Sequence, residues 1–401
     1  MSNGGFSKAR LGRLHDALAR LVESGAMPGL VALVWRRGET HVETIGSLGF
    51  DNDAPMRRDT IFRIASVTKP IVAAAAMSLV EECRIRLDDP VDDLLPELAN
   101  RRVLRTLGSE IDDVVPANRA ITLRDLLTFR LGYGAVMAFP PQYPIQRAME
   151  QAGVAPGPQG PSVPPDALMA AYGGLPLVHQ PGEQWLYNSG SDILGVLMAR
   201  ATGKGLGEIL HERILDPLGM KDTAFSLPTE KLDRLPDSYW TNFETGEFGI
   251  FDPAKGSQYG RPPIFESGAG GLVSTVDDLL AFGQMMLGLG RFAGQRILAR
   301  PTVEVMTTDQ ITPAQKAAST FFPEFWVSHG WGFGVSVVTK RDDVFSTPGR
   351  YGWDGGYGTS WYVDPQEALI GVLMTQRLMD SPVAPAVFRD FWTSAYQAID
   401  D

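Results

Sequence analysis

Cysteine occurs once in the 401 residues, at Cys83, so no disulfide can close within the chain, which suits a reducing compartment. Histidine is scarce as well. The five residues His15, His41, His179, His211 and His329 are scattered without the paired spacing of a metal site, so no metal is expected. No serine sits in a G-x-S-x-G elbow, and neither a phosphate loop nor a dinucleotide glycine fingerprint is present, so no organic cofactor is expected. A Ser–His–Asp triad is left only to contacts between residues far apart in sequence. Long apolar runs are missing: "PIVAAAAMSLV" is too short to cross a bilayer. The opening "MSNGGFSKARLGRLHDALARL" lacks the apolar core and small-residue cleavage site of a secretory signal. These absences predict a cytoplasmic protein without a membrane partner. Basic residues are outnumbered, 36 against 47 acidic for a net charge of −11, which argues against nucleic acid as the main partner.

What is present is an ordinary globular composition, 44% hydrophobic and 21% charged. Leu11, Leu14, Leu18, Leu21 and Val22 fall at helical spacing, and "GLVALVWRRGETHVETIGSLGF" reads as two strands joined by a turn at 37–39. Residues 66–82 are apolar on nearly every side and predict a central helix with Pro70 in its first turn. From about 88 to 260 short helical patterns such as "ITLRDLLTF", "SDILGVLMARATG" and "LGEILHERILDPLGM" alternate with proline and glycine. The excursion "AGVAPGPQGPSVPPDA" reads as a surface loop or as the rim of a cleft. A helix over 275–289, strands in "GWGFGVSVVTK", "GTSWYVDP" and "EALIGVLMTQ", and a terminal helix near 384–399 complete the pattern. Strands at both chain ends predict an α+β fold in two parts. Residues 1–78 with 264–401 form a sheet domain, 79–263 a helical one with irregular loops, and the active site lies between them.

The stretch "RIASVTKPIVAA" places Ser66 three residues before Lys69, one helical turn apart, so the two side chains share a face. A serine hydroxyl becomes a nucleophile when a neighbouring base takes its proton. A lysine serves as that base when burial and nearby positive potential lower its pKa. An S-x-x-K pair alone is weak, but a lysine inside so apolar a helix requires a polar cavity to face.

Two further stretches give the pair its context. "EQWLYNSGSDILG" offers Tyr187 just ahead of a helix, and "YGWDGGYGTSWYVDPQEALIGVLM" offers a glycine-rich turn at Trp353-Asp354-Gly355. With S-x-x-K these resemble the serine β-lactamase and penicillin-binding superfamily, and most of all its class C-like branch, the family VIII carboxylesterases. The resemblance runs over most of the chain, including "ITLRDLLTFRLGYG" and "ESGAGGLVSTVDDLLAF". It implies a β-lactamase-like fold, an antiparallel sheet flanked by helices with an inserted, mostly helical lobe. It also implies Ser66 as nucleophile and Lys69 with Tyr187 as shared base, Lys69 near the phenol favouring phenolate. The oxyanion would sit between the N–H groups of Ser66 and Gly356.

Two departures from that pattern bear on the substrate. Ser189 stands where class C members carry an asparagine, and Trp353 where they carry a lysine. Losing that cation suits an uncharged, apolar ester, unless an arginine such as Arg350 takes its place. Asp354 would oppose charge at an oxyanion hole, so its side chain is expected to face away, toward solvent or an arginine. The aromatic runs around Tyr133, Phe139 and Trp326 read as pocket walls or as core. With Trp353, Asp354, Gly355 and Ser189 they make up the candidate substrate-binding set. The expected activity is hydrolysis of small carboxylic esters of short to medium acyl chain. A β-lactamase, a D-amino-acid amidase or peptidase, an acyltransferase and a silent binding module are the alternatives.

Overall fold

The computed structural model describes residues 4–138, 140–157, 159–242, 244–319, 321–322 and 324–401. A first helix, α1 (Lys8–Glu23), leads into strands β1 (Gly29–Arg36), β2 (Glu39–Gly49) and β3 (Asn52–Pro55). Next comes the central helix α2 (Thr68–Glu81). The chain then runs through short helices to α3 (Ser189–Thr202), a small hairpin β4 (Ser238–Thr241) with β5 (Phe248–Asp252), and α4 (Val276–Leu287). Strands β6 (His329–Trp331), β7 (Ser336–Val338), β8 (Tyr351–Gly355), β9 (Thr359–Asp364) and β10 (Leu369–Thr375) precede a last helix, α5 (Ala386–Gln397).

Eight strands form one antiparallel sheet in the order β6-β7-β8-β9-β10-β1-β2-β3, so both chain ends supply it, as expected of the α+β reading. In the centre β1 pairs with β10, Leu30 opposite Thr375 and Leu33 opposite Val372. Alternation along β1 sends Leu30, Ala32 and Val34 to one face and Val31 and Leu33 to the other. On the first face α1 and α5 pack Leu14, Leu18, Phe388 and Phe391 against them; on the second lie α2 and α4. Covering both faces is why "GLVALVW" reads as a continuous apolar run rather than an alternating one. Gly371 in β10 leaves room for Trp392 of α5, whose ring would lie 2.4 Å from any Cβ there.

Helix α2 is buried along nearly its whole length, consistent with its all-round apolar sequence. It begins two residues later than the sequence predicts. Ser66 lies in a 3₁₀ turn over Ala65–Val67, and Ala65 before it holds φ 43°, a left-handed value that costs a residue with a Cβ. "ITLRDLLTF" gives only Leu123–Leu127, opened by a Thr122–Asp125 capping box and closed as Phe129 turns to φ 57°. No helix among the described residues is long and apolar enough to cross a membrane.

Candidate active site

Helix α2 carries Lys69 one turn beyond Ser66, and its Nζ lies 2.8 Å from Ser66 Oγ. Lys69 is 1% exposed, and Nζ also donates to the Ala269 carbonyl. The same residue's N–H donates to Asp192 Oδ1 at 3.0 Å, and Ser267 Oγ donates to that oxygen at 2.7 Å. Ala269 therefore bridges a buried cation and a buried carboxylate through its own peptide groups. Burial works against both charges. It pulls Lys69 down to about 7, outweighing the attraction of Asp192. It pushes Asp192 up, against the hydrogen bonds of Ser267 and Ala269 and the pull of Lys69. Nothing in the sequence reading singled out Asp192, although the signal was the one that marked Lys69: a charged residue on an apolar helix, here "SDILGVLM".

Tyr187 stands just before α3 and meets Lys69 face-on, Nζ lying 4.5 Å from the ring centroid. Its hydroxyl accepts a 2.7 Å hydrogen bond from Trp353 Nε1. Burial raises the phenol above its ordinary range, while hydrogen bonds with Ser66 and Trp353 pull it the other way. The expected phenolate is thus corrected. Lys69 spends its hydrogen bonds on Ser66 and Ala269 and meets the ring rather than the oxygen, and desolvation keeps the phenol neutral.

The third candidate stretch divides by strand alternation. Trp353 turns toward Tyr187 and packs edge-on against Trp331, centroids 4.7 Å apart. It is 8% exposed and does not line the cavity at Ser66, so its contact is with the tyrosine rather than the open site. Asp354 turns the other way, accepting from Ser360 Oγ at 2.6 Å and lying in the field of Arg350. Burial lifts its carboxyl to about 6 against those partners. It faces away from Ser66, toward Ser360 and the arginine. Arg350 itself is stacked between Tyr362 and Trp392, 3.9 and 4.1 Å from the ring centroids. Caged there and absent from the cavity lining, it does not take the place of the missing lysine. Gly355 is required by close approach, because a Cβ would meet Ile64 O at 2.3 Å, directly behind the serine turn. Gly356 follows at the cavity wall beside Ala65 and Ser66, with open space on its Cβ side.

The cavity holds about 620 Å³ and takes one wall from 153–157 and 159–162, the rim reading of the irregular excursion. Another wall is the segment 258–265, which no sequence signal had marked. Ser189, the first residue of α3, lines the cavity and hydrogen-bonds with Tyr172. Two expected pocket residues lie elsewhere. Tyr133 is buried with its ring 4.9 Å from Tyr172. Trp326 packs on Trp185 and Phe325 in an aromatic cluster behind Tyr187. Both are large rings that gain more from burial than from lining an open cleft. Phe139 lies outside the described residues. Among the described residues no group of three His, Cys, Asp or Glu side chains could hold a metal ion.

Comparison with known proteins places this arrangement. Protein Rv1367c of Mycobacterium tuberculosis (strain ATCC 25618 / H37Rv) is 38% identical over 380 residues, 92% of this chain and 91% of that one. Esterase EstB of Burkholderia gladioli is 30% identical over 391 residues, 93% and 92% of the two chains. Among solved structures, EstCE1, a hydrolase with promiscuous acyltransferase activity, superposes with a TM-score of 0.78 at 22% identity over 97% of this chain and 99% of its own. That likeness bears on the fold, which is the β-lactamase-like one the sequence led us to expect. A family model described as Beta-lactamase matches residues 14–389, and the chain belongs to that family.

Proposed function

We propose that this protein is a serine carboxylesterase of the family VIII kind, cleaving esters of short to medium acyl chain through an acyl-enzyme on Ser66. One observation carries the reading: Ser66 Oγ lies 2.8 Å from a fully buried lysine whose ammonium form is disfavoured. Neutral Lys69 takes the hydroxyl proton as Oγ bonds to the ester carbonyl carbon. The oxyanion is received by the N–H groups of Ser66 and Gly356. As the C–O bond breaks, the proton held by Lys69 passes through Tyr187 to the leaving alkoxide. Water then attacks the acyl group, the same two residues take its proton, and Ser66 Oγ leaves with a proton restored. The cavity draws on both proposed parts of the chain, with Ser66, Gly270 and Gly356 from one and 159–162 with Ser189 from the other.

Two findings favour an uncharged substrate over a β-lactam. The position of the motif lysine is filled by an indole committed to Tyr187, and Arg350 is caged away from the cavity. A second reading, acyl transfer to an alcohol, differs only in the acceptor. It is favoured by relatives named as acyltransferases, such as Monacolin J acid methylbutanoyltransferase of Aspergillus terreus, 26% identical over 365 residues. The test is turnover of p-nitrophenyl butyrate by wild type and Ser66→Ala beside a chromogenic cephalosporin, with and without added alcohol. Ester cleavage lost in the variant and little ring opening support the esterase. Rapid ring opening moves the protein to the β-lactamases, and product ester formed with alcohol present moves it to the transferases.

A further inference from the structure

Four polar side chains line the cavity at Ser66 with hydrogen-bonding capacity that the protein itself leaves unused. Asp192 on α3 is 6% exposed and lines the cavity. Its Oδ1 accepts from Ser267 Oγ and from Ala269 N–H, whereas no group among the described residues donates to Oδ2, the oxygen left to the cavity. Three further lining side chains, those of Asn188, Gln258 and Arg261, make no hydrogen bond or ion pair among the described residues.

The turn that carries Gln258 and Arg261 is tied to the chain leading into the serine. Asp252 accepts from Ser257 Oγ at 2.6 Å and from Gln258 N–H at 3.1 Å. The same carboxylate accepts from Nε of buried Arg63 at 2.6 Å, and Arg63 stands three residues before Ser66. Asn188 follows Tyr187 and directly precedes α3, which carries Asp192. All four groups therefore hold fixed places around the cavity that contains the nucleophile.

Their donor and acceptor roles select the ligand. A guanidinium only donates, a carboxylate only accepts, and the two amides do both. An anionic ligand would suit Arg261 and be repelled by Asp192, and a cationic one the reverse. A hydroxyl donates and accepts, so one neutral molecule with several hydroxyls satisfies all four groups. It also serves Asp192, which burial pushes toward the neutral acid, in either protonation state. We propose that the alcohol half of the substrate is polyhydroxylated: a short acyl ester of a sugar-like alcohol whose hydroxyls are held by Asp192, Asn188, Gln258 and Arg261. The proposal rests on the esterase reading and adds to it the class of alcohol. Ester and hydroxyls share one cavity of about 620 Å³, a size that admits a sugar ring beside a short acyl group. The substrate is then uncharged, as the missing motif lysine suggests, but polar.

The test compares kcat/KM for glucose monobutyrate and cyclohexylmethyl butyrate, which share an acyl group and a ring size and differ in hydroxyls, with released butyrate read by titration. Wild type is expected to favour the glucose ester by about 10-fold or more. Arg261→Met and Gln258→Leu, both at exposed positions, should each lower that preference about 5- to 10-fold, the loss falling on KM for the glucose ester rather than on its kcat. A wild type without the preference, or both variants keeping it in full, overturns the proposal and makes these side chains a solvated rim. Butyrylcholine and O-butyryl glycolate supply a cationic and an anionic ester. If either exceeds the glucose ester in kcat/KM, the proposal is overturned and the cavity belongs to a charged substrate. Ser66→Ala, assayed in parallel on p-nitrophenyl butyrate, separates the two levels. Turnover surviving there defeats the nucleophile assignment, whereas Ser66-dependent turnover without preference for the glucose ester defeats the alcohol class alone.

Discussion

Two regions flank Tyr187 and are built from opposite materials. Behind it Trp185, Trp331, Trp353 and Phe321 interlock in a buried aromatic cluster. In front, the cavity at Ser66 is walled by the small and polar residues of 153–157 and 159–162 and by the loop 258–265. The aromatics sit where burial rewards them, whereas the open wall comes from irregular segments interrupted by glycine and proline. In the proposed mechanism the cluster acts by holding one hydroxyl, and the loops act by leaving space.

Breaking the front of the site should have the largest effect. Ser66→Ala and Lys69→Ala should each lower ester turnover by on the order of 10⁴-fold or more, since nucleophile and base act as a unit. Steady-state kinetics checks this, with circular dichroism to show an intact fold.

The comparison sharpens within the cluster itself. Trp353→Phe keeps an aromatic ring but removes the N–H that Tyr187 accepts from, so kcat should fall about 10- to 100-fold, the scale of a lost hydrogen bond to a buried group. Trp185→Phe, at an indole whose N–H has no hydrogen-bond partner among the described residues, should leave kcat within about threefold of wild type. Equal losses in the two variants would make the cluster mere packing.

Activity should rise with pH through about 7, because Lys69 must be neutral to accept the Ser66 proton and burial brings it to that range. Asp192 attracts the ammonium, so Asp192→Asn lowers the lysine pKa further and moves the rising limb to lower pH. A pH–kcat/KM profile of the two proteins reads the sign directly; a limb moved upward would break the assignment.

The smallest expected effect is at Trp326. Its Ala variant should lose about 1–3 kcal/mol of stability through the cavity left in the cluster, read by urea unfolding, while chain-length preference stays unaltered.

Much of this was legible in sequence because it is local. The S-x-x-K spacing fixes Ser66 and Lys69 on adjacent turns, and the apolar run through α2 forces burial of the lysine between them and the core. The strands at both ends were equally plain, since β1 and β10 lie in the middle of a covered sheet. What the residues did not announce depends on long-range closure. Asp192 is linked to Lys69 through the peptide of Ala269, which lies 77 positions from Asp192 and 200 from Lys69. Whether an aromatic run faces the cavity or the core is likewise decided by packing, and so Tyr133 and Trp326 were misplaced while the 258–265 wall went unmarked. Asp354 was read in part: alternation along β8 turns it from the oxyanion side, but its partners Ser360 and Arg350 become visible only once β9 and α5 are in place.

The central claim is that Ser66 becomes acylated. Its most direct test is mass spectrometry of the acid-quenched enzyme after reaction with a slowly released p-nitrophenyl ester or a serine-directed phosphonate. The account predicts one added acyl or phosphonyl group, located in the peptide that contains Ser66 and absent from Ser66→Ala. Label on another residue, or steady ester turnover by an enzyme that never carries label, would contradict it.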